Sequence, residues 1–287
     1  GFVESAGGGT ILLARGDVAA QMGLPVLGVV AWAQSFGDGV HTSIPAPGLG
    51  ALGAARGAAS SPLACALNAL GVSADDVAVV SKHDTSTRAN DPNEAELHER
   101  LASAIGRGDG APLFVVSQKS LTGHAKGGAA AFQLIGLCQV LRDGVIPPNR
   151  SLDCVDEKMR EFPHLVWPRE ALRLGDRFPL KAGLLTSLGF GHVSGLIAVV
   201  HPEAFVATLD EDTRRVYLER SAERARRGNQ RLLQAMCGGE AAYRRPADRR
   251  FDETVDEHDA EASVLLDPAV RLGTDGAYGA GIVGGAS

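Results

Sequence analysis

Short apolar runs alternate with amphipathic stretches along the first half of the chain. The predicted strands are the apolar runs Thr10 to Ala14, Val26 to Ala33, Val77 to Val80 and Leu113 to Val116. The predicted helices, in which apolar residues recur at helical spacing, are Arg15 to Met22, Pro62 to Leu70, Asp91 to Ile105 and Ala129 to Leu141. Because strands and helices alternate, the pattern predicts an α/β layer on a largely parallel sheet. The Gly- and Pro-rich stretch from Phe36 to Gly57 predicts a long loop.

The second half of the chain is less regular. Two more strands are predicted at Lys181 to Thr186 and Leu196 to Val200, joined by a glycine-rich turn from Ser187 to Gly195. The stretch from Phe205 to Cys237 mixes Arg with Glu and predicts a solvent-facing helix or helix pair. From Gly238 to Ser287 the sequence becomes polar and then rich in Gly and Ala, which predicts a loose tail.

Composition narrows the classes of function. Of the 287 residues, 45% are hydrophobic and 22% are charged, which is typical of a globular protein with a sizeable core. The net charge of −6 argues against a nucleic-acid partner, and no apolar run is long enough to cross a bilayer. The four cysteines lie far apart without a Cys-x-x-Cys pair, so we expect free buried thiols and a cytoplasmic location. The chain begins without Met or a signal peptide, and we expect a fragment or a processed piece.

Three polar clusters follow predicted strands. They are His83 with Thr85 and Thr87, then Lys119 with Thr122 and His124, and then the Gly189-Phe190-Gly191 turn. Because the ends of parallel strands lie side by side, we expect the two histidines and the lysine to converge. Two neutral imidazole N–H donors suit a reaction in which negative charge develops on a carbonyl oxygen. The charge of Lys119 would oppose protonation of both rings, and amides of the glycine turn would serve a second oxyanion.

Simpler interpretations stand beside these. A single histidine after a strand is more often structural than functional, and Glu94 fits a capping box as the N3 partner of Asp91. Lys126 is interpreted as a solvated charge. The chain contains neither His-Glu-x-x-His nor paired Cys/His spacing, so we expect no metal and no cofactor. The dinucleotide-like pattern Gly279 to Gly284 is rejected because only three residues follow it, too few for the required helix.

The three clusters resemble the motifs of β-ketoacyl-ACP synthases in order and wording. The matching segments are Lys82 to Glu94, Lys119 to His124, Ser187 to Gly191, and Gly1 to Leu13 as the segment just after the nucleophile. The resemblance covers about residues 1 to 202. Asp84 stands where many relatives have glycine, and His192-Val193-Ser194 departs from the usual Gly-Thr-Asn. These departures look like the synthase domain of type I fatty acid synthases, in particular the fungal-like alpha-subunit type also found in actinobacteria.

The resemblance implies an architecture. It implies an α/β, thiolase-like fold with αβαβα layers, to which this chain contributes mainly the C-terminal half, plus a helical C-terminal extension. The implied domains are the ketosynthase half at 1–204, the helical extension at 205–237 and a loosely ordered tail at 238–287.

The resemblance also implies a decarboxylative Claisen condensation. His83 and His124 would hold the malonyl thioester carbonyl as it becomes an enolate. Lys119 would organise the second histidine and pair with Glu94. The Phe190 amide would contribute to the oxyanion hole and its ring would gate the acyl pocket, with Gly189, Thr85 and Thr87 in the same substrate-binding group.

The nucleophile and the partners are implied by the resemblance as well. The family places its cysteine upstream of Gly1 to Leu13, and Cys65, Cys138 and Cys154 lie in helix or loop contexts that do not replace it. The implied partners are an acyl carrier protein bearing malonyl- or acyl-phosphopantetheine and the N-terminal half carrying the cysteine, in a homo-oligomer, with no nucleic acid and no membrane. Two alternatives stay open: a polyketide- or mycolate-type ketosynthase, and a non-catalytic partner like the chain-length factors, which need not keep both histidines and the lysine.

Overall fold

The computed structural model describes residues 3–38, 47–175, 178–189 and 192–239, together with the backbone of two short strands at 270–272 and 278–280. The helices are α1 Gly16–Met22, α2 Leu49–Ala55, α3 Pro62–Asn68, α4 Asn90–Ala104, α5 Lys119–Thr122, α6 Ala129–Asp143, α7 Glu203–Ala207 and α8 Glu211–Met236. The strands are β1 Val29–Gly37, β2 Val77–Ser81, β3 Leu113–Val116, β4 Val145–Ile146, β5 Leu165–Val166, β6 Leu172–Arg173, β7 Ala182–Gly189, β8 Val193–Val200, β9 Val270–Leu272 and β10 Tyr278–Ala280. Three-residue 3₁₀ helices lie at Ala58–Ser60, Lys126–Gly128 and Glu157–Met159.

One mixed sheet organises the chain, with strand order β1-β8-β7-β2-β3-β5. The strands β7, β2, β3 and β5 pair in parallel, whereas β1 and β8 run antiparallel to their neighbours. The α/β class is confirmed, but the expectation of a largely parallel sheet was wrong for this edge. Only three residues separate β7 from β8, and such a short connection forms a hairpin rather than a crossover.

The sheet separates two apolar cores. Helices α2, α3 and α4 cover one face, where Leu63 and Leu101 are fully buried, and α6 covers the other, where Leu137 is buried. Strand β2 is buried along its whole length, as expected for a central parallel strand covered on both faces. In register, Ser81 lies opposite Val116 of β3 and Leu185 of β7. The carboxyl ends of β2, β3 and β7 therefore meet at one edge of the sheet.

Two expectations near the N-terminus were wrong. Residues 10–14 form neither strand nor helix, and Leu12 and Leu13 are 81% and 74% exposed. An apolar run becomes a strand only where a neighbouring strand supplies hydrogen bonds. The expected loop from Phe36 to Gly57 contains the end of β1 and all of α2, while residues 39–46 lie outside the described part. The Asp38 carboxylate accepts the amides of Gly48 and Gly50 at 2.8 and 2.9 Å, which fixes the start of α2.

The remaining elements follow the sequence more closely. The predicted helix pair is confirmed as α7 and α8, and most of the predicted tail at 238–287 lies outside the described residues. All four cysteines are free, as expected, but Cys65, Cys154 and Cys237 are exposed rather than buried. Residues Gly1–Arg226 and Arg227–Ser287 form two separate compact units. In the part that the structure describes, no helix is both long and apolar enough to span a membrane.

Candidate active site

The loops after β2 and β3 bring two imidazole rings together. His83 follows β2 by two residues, and His124 follows the single turn of α5, which begins three residues after β3. The ring centroids lie 5.2 Å apart, with an angle of 85° between the ring planes. Both side chains are largely shielded from solvent, with 9% and 8% exposure. The predicted convergence of His83, His124 and Lys119 is therefore present in the structure.

Backbone pairing with the N-terminal segment holds His124. Its N–H donates to the Val3 carbonyl at 2.8 Å, and its carbonyl accepts from the Ser5 amide at 3.2 Å. The preceding Gly123 has φ +67°, and a Cβ there would lie 2.9 Å from the Ser5 Cβ. The Lys126 amide donates to His124 Nδ1 at 3.0 Å. The ring is thereby fixed at one nitrogen.

A buried carboxylate holds the His83 loop. Glu94 is fully buried on the first turns of α4, and it accepts the amides of His83 at 2.5 Å and Asp84 at 2.7 Å. It also accepts the Thr186 hydroxyl at 2.6 Å. Burial raises the pKa of Glu94, but the adjacent His98 ring, whose Nε2 lies 3.8 Å from Glu94 Oε1, and the charge of Lys82 hold that pKa well below its ordinary value. The carboxylate is therefore ionised while it orders the loop.

The capping-box interpretation of Glu94 was wrong. Helix α4 begins at Asn90 after an Ala89 cap without a side-chain hydrogen bond, so Glu94 lies beyond its first turn. Thr87 and Asp91 fix the start of the helix instead. The Thr87 hydroxyl accepts the Asn90 amide, and Asp91 accepts the Thr87 amide, both at 3.2 Å. Glu94 is thus left to bind the His83 loop.

Lys119 lies against the first histidine rather than the second. Its ammonium donates to the His83 carbonyl and lies 3.4 Å from both His83 Nδ1 and Gln133 Oε1. Among the ion pairs within 4 Å in the described chain, none joins Lys119 to Glu94. The two Glu94 oxygens already accept four hydrogen bonds, because the Asn90 side chain adds an N–H at 3.2 Å to the three donors named above. No acceptor position of the carboxylate is left for the lysine. The expectation that Lys119 pairs with Glu94 was therefore wrong.

Electrostatics keep both rings neutral. Burial lowers the pKa of His83 to about 4, with Glu94 opposing and the charge of Lys119 reinforcing that shift. Burial and the charges of Lys119 and Lys126 also lower the pKa of His124. The pKa of Lys119 is lowered to about 8 by burial, so it remains mostly protonated near neutral pH. A cation that stays beside two imidazoles disfavours an imidazolium.

The same contacts determine the tautomer of each ring. His83 Nδ1 faces the Lys119 ammonium and His124 Nδ1 faces the Lys126 amide, and both of these groups are donors only. Each Nδ1 must therefore accept, which places the ring hydrogen on Nε2. Both imidazoles present an Nε2–H donor.

A buried ion pair adjoins His83. Lys82 is 1% exposed, and its ammonium lies 3.2 Å from an Asp84 oxygen. Burial lowers the pKa of Lys82, but Asp84 and Glu94 outweigh that effect and raise it above its usual value. Asp84 has φ +43°, a left-handed conformation that suits glycine and that Asp tolerates better than most residues. This explains how Asp84 can occupy a position where glycine is expected.

Sequence reasoning missed Gln133, a buried polar residue that supports the site. Gln133, fully buried on α6, donates to the carbonyls of Ser81, Lys82 and Thr186 at 3.1, 2.8 and 3.2 Å. It thereby ties the ends of β2 and β7 together. Its only sequence signal is that it is one of two glutamines, with Gln139, within the otherwise apolar Ala129 to Leu141 stretch.

The other predicted residues lie at the same edge or outside the described chain. The hydroxyls of Thr85 and Thr87 lie 3.1 Å apart on the His83 loop. Gly189 is the last residue of β7, next to β2 in the sheet. Phe190, predicted for the oxyanion hole, and Gly191 lie outside the described residues.

Comparison with known proteins identifies a matching family and similar relatives. Residues 27–153 match the family described as "Beta-ketoacyl synthase, C-terminal domain". The chain is 40% identical to the fatty acid synthase alpha subunit stcJ of Emericella nidulans over 96% of its length, and 36% identical to the alpha subunit hexA of Dothistroma septosporum over 97%. It spans only 17% and 18% of those two proteins.

A solved structure gives the corresponding likeness of fold. The noncanonical ketosynthase FabY from P. aeruginosa superposes with a TM-score of 0.64 and 26% identity, over 77% of this chain and 34% of that one. The α/β sheet described above thus matches the ketosynthase, or thiolase-like, fold. The chain belongs to the β-ketoacyl synthases: it carries their C-terminal domain, in a form related to the fungal-type fatty acid synthase alpha subunits.

Proposed function

We propose that this chain supplies the decarboxylation machinery of a 3-oxoacyl-[acyl-carrier-protein] synthase in fatty acid biosynthesis. The observation that carries the proposal is the pair of neutral imidazoles, His83 and His124, with centroids 5.2 Å apart and hydrogens on Nε2. Rings at that distance are close enough for both donors to reach one oxygen. Two preorganised donors at one oxygen are what a developing enolate requires.

The proposed step is loss of carbon dioxide from a malonyl thioester. The bond between the α-carbon and the carboxylate breaks, carbon dioxide leaves, and the electron pair moves into an enolate whose oxygen accepts both Nε2–H groups. Each donor contributes about 3 kcal/mol to the transition state. Neutral rings suit this role because they stabilise the oxygen without protonating it. The enolate carbon then attacks an acyl thioester, and the thiolate departs as the new carbon–carbon bond forms.

The acyl group in this proposal sits on a cysteine outside these 287 residues. Cys65 lies within α3 and Cys138 within α6, so neither is on the loops that carry the histidines. A partner segment that places its cysteine beside the imidazoles would complete the site. The donor of the malonyl group is an acyl carrier protein with a phosphopantetheine arm, in a homo-oligomeric synthase. Thr85, Thr87, Gly189 and the amide of Phe190 would contact the thioesters.

The test measures carbon dioxide release from malonyl-acyl carrier protein by the full protein that naturally contains this chain. The double variant His83→Ala/His124→Ala should lose more than about 100-fold in rate, since each oxyanion donor alone is worth that much. His201→Ala is the matched control, because this histidine lies beyond the far end of β8 and contacts Glu203. Unchanged release by the double variant would favour the non-catalytic partner instead. Acyl and polyketide thioesters compared on the wild-type protein distinguish the fatty acid synthase from the polyketide-type alternative.

A further inference from the structure

A chain of buried hydrogen bonds extends from Glu94 away from the proposed site. Thr186, on β7, donates its hydroxyl to Glu94 Oε1 at 2.6 Å. His98, one turn after Glu94 on α4, places Nε2 at 2.9 Å from the Thr186 hydroxyl. All three residues have 0% exposure. The link from His98 to Glu94 is therefore enclosed within the protein.

The donors and acceptors in this chain have only one consistent assignment. An ionised carboxylate only accepts, so the single hydroxyl hydrogen of Thr186 points to Glu94. The hydroxyl oxygen must then accept from His98, which places the ring hydrogen on Nε2. His98 Nδ1 is buried and has no hydrogen-bond partner in the described chain, so a second ring hydrogen there would be unsatisfied. Burial also lowers the pKa of His98, although Glu94 opposes the shift. The ring is neutral and has one orientation.

This series of hydrogen bonds ends at Glu94 Oε1, an oxygen that also holds the His83 loop of the proposed active site. Glu94 Oε1 accepts the Thr186 hydroxyl and also the His83 amide at 2.5 Å. Its other oxygen accepts the Asp84 amide at 2.7 Å. Without the Thr186 donor, the carboxylate could rotate away from the His83 amide or take up a proton more readily. Either change would move the imidazole that the decarboxylation needs.

We propose that His98 is a positioning residue for His83, acting through the Thr186 hydroxyl and the Glu94 carboxylate. The His98 ring is separated from the reacting atoms by two side chains and the His83 backbone. The inference rests on the proposed function for its kinetic consequence. The protection of the His83 and Asp84 amides from hydrogen exchange, by contrast, can be measured without any substrate.

The matched variants are His98→Gln and His98→Asn in the full protein. A glutamine amide reaches the position of Nε2 and can still donate to Thr186, whereas the shorter asparagine amide reaches only Nδ1. We expect His98→Asn to lower kcat for malonyl decarboxylation about tenfold with little change in KM, and His98→Gln to restore most of it. The acid limb of the pH profile should move to higher pH in His98→Asn but not in His98→Gln, because a Thr186 hydroxyl that no longer accepts from His98 is a weaker donor to Glu94 and the pKa of Glu94 then rises. Amide hydrogen exchange at His83 and Asp84 should accelerate in the same variant.

A second pair of variants, at Thr186, tests the same link even if the substitutions at His98 prevent the protein from folding. Thr186→Ser retains the hydroxyl and should behave like wild type, whereas Thr186→Val removes it at nearly constant volume and should reproduce His98→Asn. The inference is overturned if Thr186→Val, or a folded His98→Asn, keeps wild-type kcat, acid limb and amide exchange. Loss of activity in His83→Ala/His124→Ala in the same assay would show that the proposed function survives that result. If that double variant stays active, the proposed function fails, and the amide exchange alone decides the positioning role.

Discussion

The two histidine loops are held by different means. The His83 loop is ordered by the charged side chain of Glu94, which is buried and lies eleven residues downstream. The His124 loop is ordered by backbone hydrogen bonds to residues 3–5, which lie about 120 positions upstream of it. Each loop nevertheless presents a neutral ring with its hydrogen on Nε2. The same donor geometry can therefore be built from electrostatics in one loop and from chain pairing in the other.

Because the two loops are held differently, different changes should disrupt them. The His83 loop depends on ionisable groups, namely Glu94, Lys82 and Lys119, so it should respond to pH and to charge. The His124 loop depends on close backbone approach at Gly123, so it should respond to added volume. Surface charge should matter little to either.

Removing the buried carboxylate should have the largest effect. Glu94→Ala leaves the amides of His83 and Asp84 and the Thr186 hydroxyl without their acceptor, which should lower the free energy of unfolding by about 3 kcal/mol. Because the pKa of Glu94 is lowered in the folded protein, its contribution to stability is fully present above the ordinary glutamate pKa and is lost progressively as the pH falls from there through the lowered pKa of the folded state. Urea unfolding at neutral and acidic pH measures both effects.

The control for that variant lies on the same helix. Glu96 is exposed and forms only a surface pair with Arg100 at 3.5 Å, so Glu96→Ala should change stability little. Equal stability of the Glu94 and Glu96 variants would contradict the claim that the Glu94 carboxylate holds the His83 loop.

Added volume at Gly123 should be next in size. Gly123 has φ +67° and ψ −175°, a region essentially restricted to glycine, so Gly123→Ala should cost about 2 kcal/mol and displace Ser5. The decarboxylation rate should fall because His124 loses its pairing with residues 3–5. Gly127→Ala is the control, since a Cβ there meets nothing within 4 Å. Similar rates for the two variants would show that close approach at Gly123 is not what orders the loop.

Removing the Lys119 charge should shift the pH dependence. Lys119 opposes protonation of both rings, so Lys119→Met should raise both histidine pKa values. The neutral rings are the active form, and activity is lost as the pH falls through the folded pKa. The acid limb should therefore move upward, with the largest difference between about 4, the pKa of His83 in the protein, and its ordinary value of 6.5. Lys119→Arg keeps the charge and should keep the limb; equal limbs for all three proteins would exclude this role.

The smallest effect is expected at Lys126. Its ammonium pairs with Glu4 at 2.5 Å, but both side chains are more than half exposed. The contact that matters to His124 is the backbone amide, which Lys126→Ala retains. At neutral pH and moderate salt the rate should stay within about twofold of wild type, because the Lys126 charge is a smaller cause of the lowered His124 pKa than burial and Lys119. A larger loss would mean that surface charge, rather than backbone pairing, orders this loop.

The sequence predicted those parts of the fold whose signal is local. Val77 to Val80 and Leu113 to Val116 are strands because uninterrupted apolar runs suit a sheet that is covered on both faces. Thr10 to Ala14 is also largely apolar, but it pairs with no strand in the described part of the chain, and pairing of this kind is not visible in a single sequence. The likeness of the motifs to those of a known family identified His83, His124 and Lys119, which the structure brings together.

The supporting residues lacked such a signal. Glu94 fits a helix start by local rules, and only the folded chain shows its oxygens directed at the His83 loop. Thr186 and Gln133 lie in apolar segments where a polar residue has no distinctive spacing. Apart from Lys119, which lies 14 positions from Gln133, their partners are 51 to 92 positions away in the chain, so their roles depend on tertiary structure.

The central claim is that His83 and His124 are both neutral and both carry their hydrogen on Nε2. The most direct measurement is a long-range proton–nitrogen NMR spectrum of ¹⁵N-histidine-labelled protein at about pH 7, where a histidine with a lowered pKa is neutral and its tautomer can be read. The signals are assigned by their loss in His83→Asn and His124→Asn. We predict two rings with unprotonated Nδ1 and protonated Nε2. An imidazolium, or a hydrogen on Nδ1, at either position would contradict the account.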